Sequence, residues 1–175
     1  FGFNNIEGLR LRAGARTYFS QNDMWRAQGF MAYGFRDYKF KYGADFRYMF
    51  SKYNRFQVGI GTKRDVEQLA AQLTASDGIM TRSFASSSII NQGDNYFLSS
   101  NNLTNIYTSI EPWKNVTFRL DGNYQRVKPE SSEYFSIAYE KDGVIQQNLT
   151  NSSLSVSVIA RPGAKYSQYG IDRIE

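Results

Sequence analysis

Leu9-Arg10-Leu11-Arg12-Ala13-Gly14-Ala15-Arg16-Thr17-Tyr18-Phe19 is the stretch whose spacing settles the kind of fold. Read two at a time, it sorts Leu9, Leu11, Ala13, Ala15, Thr17 and Phe19 onto one side and Arg10, Arg12, Gly14, Arg16 and Tyr18 onto the other. A helix would throw Leu9 and Leu11 to different sides, whereas successive residues of a strand point to opposite faces. The stretch therefore predicts a β-strand with an apolar face and a basic face.

The same rhythm continues outward from it. Over 25–35, Trp25, Ala27, Gly29, Met31, Tyr33 and Phe35 oppose Arg26, Gln28, Phe30 and Ala32. Over 39–50, Phe40, Tyr42, Ala44, Phe46, Tyr48 and Phe50 oppose Lys39, Lys41, Gly43, Asp45 and Arg47. Over 55–63, Phe56, Val58, Ile60 and Thr62 oppose Gln57, Gly59, Gly61 and Lys63. Further strands are expected near 103–111, 115–127 and 152–161. Pro162-Gly163 is expected to turn the chain into an eighth strand over 165–175. The predicted class is all-β, an antiparallel meander of about eight long strands joined as hairpins.

Length and punctuation bear on the surroundings of these strands. The first four run about 9–12 residues, whereas globular strands usually run about 5–6 and a tilted membrane strand needs about 9–11. Phe19, Trp25, Phe35, Phe40, Phe50 and Phe56 fall near strand ends, as the aromatic girdles of outer-membrane barrels do. Short connections at 20–24, 51–54, 112–114 and 162–164 alternate with connections at 36–38, 64–102 and 128–150, two of them long. Short turns on one side and long loops on the other are the habit of bacterial barrels. No run of about 18 apolar residues exists, so no transmembrane helix is expected. The expectation is one partial outer-membrane β-barrel domain over 1–175, with long loops at 64–102 and 128–150. The first of these loops contains a helix-compatible stretch from Val66 to Leu73. Phe1 is not preceded by Met or a signal peptide, and Ile171-Asp172-Arg173-Ile174-Glu175 lacks the terminal aromatic of complete barrels. The barrel is accordingly expected to be incomplete, with two unpaired edges and its remaining strands elsewhere.

Chemistry-bearing patterns are sparse. There is no Cys and no His, which removes thiolate ligands, disulfides and the Ser–His arrangement from this stretch. Ser86-Ser87-Ser88 and Ser99-Ser100 read as loop composition, and Gly59-Ile60-Gly61 sits inside an alternating strand with no helix after it, so it is not a phosphate loop. Asp65 and Glu67 are a close carboxylate pair, suited in type to acid–base work or a hard cation. The plainer expectation is that they cap the loop and pair with Lys63 or Arg64. No cofactor, no metal and no nucleic-acid partner is expected.

The face opposite the aromatics carries Arg10, Arg12, Arg16, Arg26, Lys39, Lys41, Arg47, Lys63 and Arg119, with Asp45 and Asp121 as the acids on the same strands. In a barrel this is the lumen, because a charge facing lipid costs about 2–4 kcal/mol at the midplane. Two readings follow. Either acids on other strands or a plug neutralise the face, or it attracts anions such as a phosphate-bearing glycolipid or an acidic polymer.

Asn5-Ile6-Glu7-Gly8-Leu9-Arg10-Leu11, Ala32-Tyr33-Gly34-Phe35-Arg36-Asp37 and Phe40-Lys41-Tyr42-Gly43 also carry a resemblance, as do Asp65-Val66-Glu67-Gln68-Leu69 and Arg161-Pro162-Gly163-Ala164-Lys165-Tyr166. In this order they resemble the barrel of a Bacteroidota outer-membrane family of unassigned function, whose members often bear an N-terminal carboxypeptidase-regulatory-like domain. The resemblance covers nearly the whole chain, sparsely through 74–102 and 128–150. It implies a bacterial outer-membrane location and further strands, and it supplies no substrate or catalytic residue. The functional expectation is a non-enzymatic component of envelope transport or assembly. The alternatives are an outer-membrane enzyme whose catalytic residues lie outside this stretch, or a soluble β-sheet binding protein.

Overall fold

The computed structural model describes residues 2–4, 6–20, 22–68, 98–130, 138–141, 143–169 and 171–174. Among them there is no helix. The strands are β1 (Gly2–Asn4), β2 (Gly8–Arg16), β3 (Trp25–Gly34), β4 (Phe40–Ser51), β5 (Phe56–Gln68), β6 (Leu98–Trp113), β7 (Val116–Pro129), β8 (Tyr139–Lys141), β9 (Val144–Gln146), β10 (Leu149–Ala160), β11 (Ser167–Tyr169) and β12 (Asp172–Ile174). Eight of them form one antiparallel sheet in the order β1-β2-β3-β4-β5-β6-β7-β10. Neighbours in the sheet are neighbours in sequence, apart from the small β8–β9 hairpin inserted before β10. The sheet does not close on itself, since β1 and β10 are its edges.

The ends of β2, β4 and β6 have local causes. β2 stops at Arg16, short of the expected Phe19, because the Asp23 carboxylate accepts the backbone N–H groups of Phe19 and Ser20 and turns the chain. The β4–β5 and β6–β7 turns place Arg55 and Asn115 at φ 48 and φ 65, the left-handed region that Asn tolerates better than most residues. A β-bulge precedes each of these two turns, between Met49 and Ser51 and between Ile110 and Trp113.

Three expectations need correction. The 64–102 loop is narrower, because β5 runs through Gln68 and β6 starts at Leu98. The ladder continues through Val66↔Ser100 to Gln68↔Leu98, so Val66–Gln68 is strand, not the start of a helix. The rest of the helix-compatible stretch, 69–73, lies outside the described residues. Likewise β7 runs through Pro129 and β10 begins at Leu149, with the β8–β9 hairpin and its Gly143 at φ 76 between them. Finally, the chain after Pro162-Gly163 does not add an eighth long strand beside β10. Asn115 Nδ2 donates to Ala164 O at 3.0 Å and Arg55 Nη2 donates to Ile171 O at 2.8 Å. These contacts draw the chain back over the short-turn end, where β11 pairs with β12 alone.

The register fixes which side chains share a face. Trp25, Tyr48, Val58, Thr108, Leu120 and Val156 form one row across six strands. One residue along, Arg26, Arg47, Gly59, Tyr107, Asp121 and Ser155 form the adjacent row on the opposite face. Burial then inverts the order of a soluble protein. Leu11 (48%), Met31 (61%), Ile60 (50%) and Leu154 (75%) are exposed, while Arg10 (1%), Arg26 (1%), Lys41 (3%) and Lys63 (2%) are buried. Leu9, Phe46 and Val156 are exposed on the apolar face; Trp25, Val58 and Phe118 on the same face are half-buried.

Two stacks thicken the polar face. The Phe30 ring lies over Gly43 of the next strand, and the Arg12 guanidinium sits 3.5 Å above that ring. The Tyr107 ring lies over Gly59, with the Arg119 guanidinium 4.1 Å above it. A ring over a strand glycine restores the contact that the missing side chain would have made, and the guanidinium gains a cation–π contact. A Cβ at Gly59 would run into the Tyr107 ring. Gly59→Val is therefore expected to destabilise the sheet by about 1–3 kcal/mol through overpacking. Urea unfolding should also show Gly59→Val with Tyr107→Ala to be milder than the sum of the two.

Candidate functional site

The polar face is concave. Arg10 on β2 and Asp65 on β5 are separated by β3 and β4, about 14 Å of flat sheet at ~4.8 Å per strand. Arg10 Nη2 nonetheless donates to Asp65 Oδ1 at 2.7 Å. Only a strongly curled sheet permits this.

Around that contact lies a buried cluster at the end carrying the longer connections. Arg10 Nη1 is 3.2 Å from Glu7 Oε2, and Lys41 Nζ is 2.7 Å from Glu7 Oε1. Lys41 also pairs with Asp37, and Arg12 Nη1 approaches Asp65 Oδ2 at 4.0 Å. Three cations meet three carboxylates. Gly34 makes the room: a Cβ there would sit 3.0 Å from both Glu7 Cβ and Lys41 Nζ. Neutralised and hydrogen-bonded in this way, buried charges are tolerated.

The remaining expected basic residues lie as follows. Arg47 is 3.9 Å from Asp45, whose Oδ1 also accepts from Gln28 Nε2. Arg119 grips Asp121 with Nε and Nη2 at 2.8 and 2.7 Å. Buried Arg26 donates to Thr17 O at 2.6 Å and lies beside the Tyr18 ring. Lys63 is buried on the same face, and Arg16 is exposed at the end of β2. Lys39 departs from expectation: it precedes β4, in the connection from β3, and pairs with Glu130 just beyond β7. The acids expected from the strands were Asp45 and Asp121. The structure adds Glu7 and Asp37 from turns, Asp65 and Glu111 from strands, and Glu130. Asp65 pairs with Arg10 and Arg12, not with Lys63 or Arg64 as expected, because its strand position turns it inward. The side chain of Glu67 lies outside the described residues.

A second polar site sits at the short-turn end. A cavity of about 390 Å³ is lined by Arg55, Glu111, Asn115, Arg119, Arg161 and Tyr166 among others. Arg55 is 3.9 Å from Glu111, and Glu111 Oε1 accepts the Asn115 N–H at 2.8 Å. Between the two sites runs a ladder of amides, with Asn105 Nδ2 donating to Asn123 at 2.7 Å and Gln125 Nε2 to Asn101 at 3.0 Å. The face is thus polar from end to end and rich in internal partners.

The chain matches no family model, no curated protein and no solved structure.

Asp65→Ala should leave the Arg10 and Arg12 guanidinium groups buried without their carboxylate, a loss of about 3–5 kcal/mol. A double-mutant cycle with Arg10→Ala, read by urea unfolding, should give a coupling of about 1–3 kcal/mol.

Proposed function

We propose that this chain forms part of the wall of a bacterial outer-membrane β-barrel, a non-enzymatic component of envelope transport or assembly. One observation carries the reading: most charged side chains of the sheet, Arg10, Arg26, Lys41, Lys63, Asp65 and Asp121 among them, converge and are buried, while its apolar side chains diverge and are largely exposed. An exposed apolar surface of this extent is abnormal for a soluble monomer and is ordinary against lipid. The two edges of the open sheet support further strands as partners, since a sheet in hydrocarbon must satisfy its edge N–H and C=O groups. The resemblance to the Bacteroidota family with a carboxypeptidase-regulatory-like domain agrees with this reading.

Aromatic placement supports the same orientation. Phe19–Trp25 (5.7 Å), Tyr48–Phe50 (4.9 Å), Phe50–Phe56 (5.5 Å) and Trp113–Phe118 (6.1 Å) make a belt at the short-turn end. Tyr33–Phe35 (5.3 Å) and Tyr33–Phe40 (4.8 Å) belong to a second belt at the other end. Eight to ten residues separate the belts along β3 and β4, about 26–33 Å at ~3.3 Å per residue. With a strand tilt of roughly 40°, this corresponds to a height of about 20–25 Å, close to the apolar band of such barrels.

The inner face reads chiefly as a self-neutralised lining, because Arg10, Arg12, Lys41, Arg47 and Arg119 all meet carboxylates. Anion attraction is the second reading. It is favoured by the cavity in which Arg55, Arg119 and Arg161 face Glu111. Conductance of the reconstituted protein separates the two: weak selectivity fits the first, anion preference the second.

Both tryptophans of the chain, Trp25 and Trp113, fall in the short-turn belt. In vesicles of brominated lipids, bromine near the headgroup end of the acyl chain should quench their fluorescence more strongly than bromine at the bilayer centre. Absence of quenching by either lipid would remove the membrane reading and leave the soluble alternative.

A further inference from the structure

The apolar face carries very little charge, and what it carries is one-sided. The described acids of the long strands, Asp45, Asp65, Glu111 and Asp121, all lie on the concave side. On the apolar side of β5 and β7 stand Arg64, Arg126 and Lys128, all exposed. Arg64 pairs in register with Asn102, and Asn102 with Arg126, so the two guanidinium-bearing positions share one row with a neutral residue between them. Their Cα atoms stand about 10 Å apart at two strand spacings. Lys128 follows two residues further along β7 on the same face. Among the described residues no carboxylate pairs with any of the three.

Their height matters as much as their sign. Tyr42 is the register partner of Arg64 and lies two residues along β4 from Phe40 of the second aromatic belt, and Tyr124 precedes Arg126 by two residues, so the cations sit one row inside that belt, within reach of the headgroups for a long side chain. That is the end carrying the long connections, the external side of a bacterial barrel. Directly beneath, on the same apolar face, runs an open groove of about 770 Å³ lined by Ala15, Ala44, Phe46, Ile60, Thr62 and Thr104. Thr62 lies two residues from Arg64, about 7 Å along the strand.

We infer that this outer face binds a phosphorylated lipid of the external leaflet, with the phosphate held between Arg64 and Arg126 and an acyl chain in the groove below. The inference rests on the barrel reading. Charge complementarity selects the occupant: guanidinium groups with no acid beside them, set one row inside the aromatic belt and long enough to reach the headgroups, match a phosphate by charge and by their fork of donors. Such a cluster is costly facing hydrocarbon and favourable facing an anionic headgroup. Lys128 supplies a third, flexible positive charge at the rim.

The full chain is incorporated into phosphatidylcholine vesicles. Binding of a diphosphorylated glucosamine-disaccharide lipid is then compared with that of its dephosphorylated form. The phosphorylated lipid should bind at least about tenfold more tightly, and Arg64→Gln with Arg126→Gln should remove most of that preference, roughly one charge-assisted hydrogen bond per lost guanidinium. Arg64→Lys with Arg126→Lys should retain part of it, and Lys114→Gln at the opposite end should change nothing. Millimolar inorganic phosphate should not displace the lipid. Equal binding of the two lipids, an undiminished preference in the Gln variant, or displacement by inorganic phosphate would each overturn the lipid site while leaving the barrel reading intact. If the Gln variant fails to incorporate, the wild-type comparison of the two lipids decides. Failure of the wild-type chain to enter vesicles together with the strands that complete its sheet would overturn both.

Discussion

The contact between Arg10 and Asp65 is the constraint from which the rest of the architecture follows. It joins β2 to β5 across two intervening strands at 2.7 Å. It can form only because the sheet curls until side chains on one face converge. Convergence brings Glu7, Asp37 and Lys41 into the same cluster, so charges leave water in balanced company. Divergence on the other face follows from the same curvature and spreads the Leu, Phe, Tyr and Ile side chains apart. Curl, buried charge and exposed apolar surface are one geometrical fact seen from two sides.

The polar face also shows how a sheet can be thick without an apolar core. Among the described residues, fully buried apolar side chains are few: Met49, Leu98, Val66 and Ile171 are among the largest. In their place stand Arg–ring–Gly stacks, amide pairs and ion pairs, which satisfy many of the donors and acceptors that burial would otherwise strand, while atoms such as Asp65 Oδ2 and Ser99 Oγ have no hydrogen-bond partner among the described residues. A soluble sandwich would need a second layer over Leu11, Met31 and Ile60, and among the described residues these stay exposed. The proposed lipid surroundings supply that cover without a second layer.

Much of this was legible in the sequence. Period 2 from Leu9 onward sorted the residues that the register later placed on each face, and β10 follows the same rule with Leu154, Val156 and Val158 against Ser. The basic lining was legible for the same reason. Its neutralisation was not, because Glu7 and Asp37 lie in turns, where alternation says nothing about direction. Lys39 and Glu130 meet only through curvature, which no local spacing encodes. The tops of β5 and β6 were not legible because Lys63, Arg64 and Asp65 put charge on both faces in succession, which breaks the alternation of polar and apolar residues. The fold-back after Pro162-Gly163 is held by the carbonyls of Ala164 and Ile171, groups common to every residue and so without a sequence signature.

One face of this sheet is proposed to meet lipid and the other not. Spin labels placed one at a time along β4, from Lys41 to Tyr48, test it most directly in the vesicle-reconstituted chain. Labels at Tyr42, Ala44, Phe46 and Tyr48 should be relaxed by oxygen, which concentrates in bilayers. Labels at Lys41, Gly43, Asp45 and Arg47 should show little oxygen accessibility, giving a period of two along the strand. Labels at Tyr42 to Tyr48 that are relaxed by a water-soluble nickel chelate, or shielded from both reagents, would contradict it.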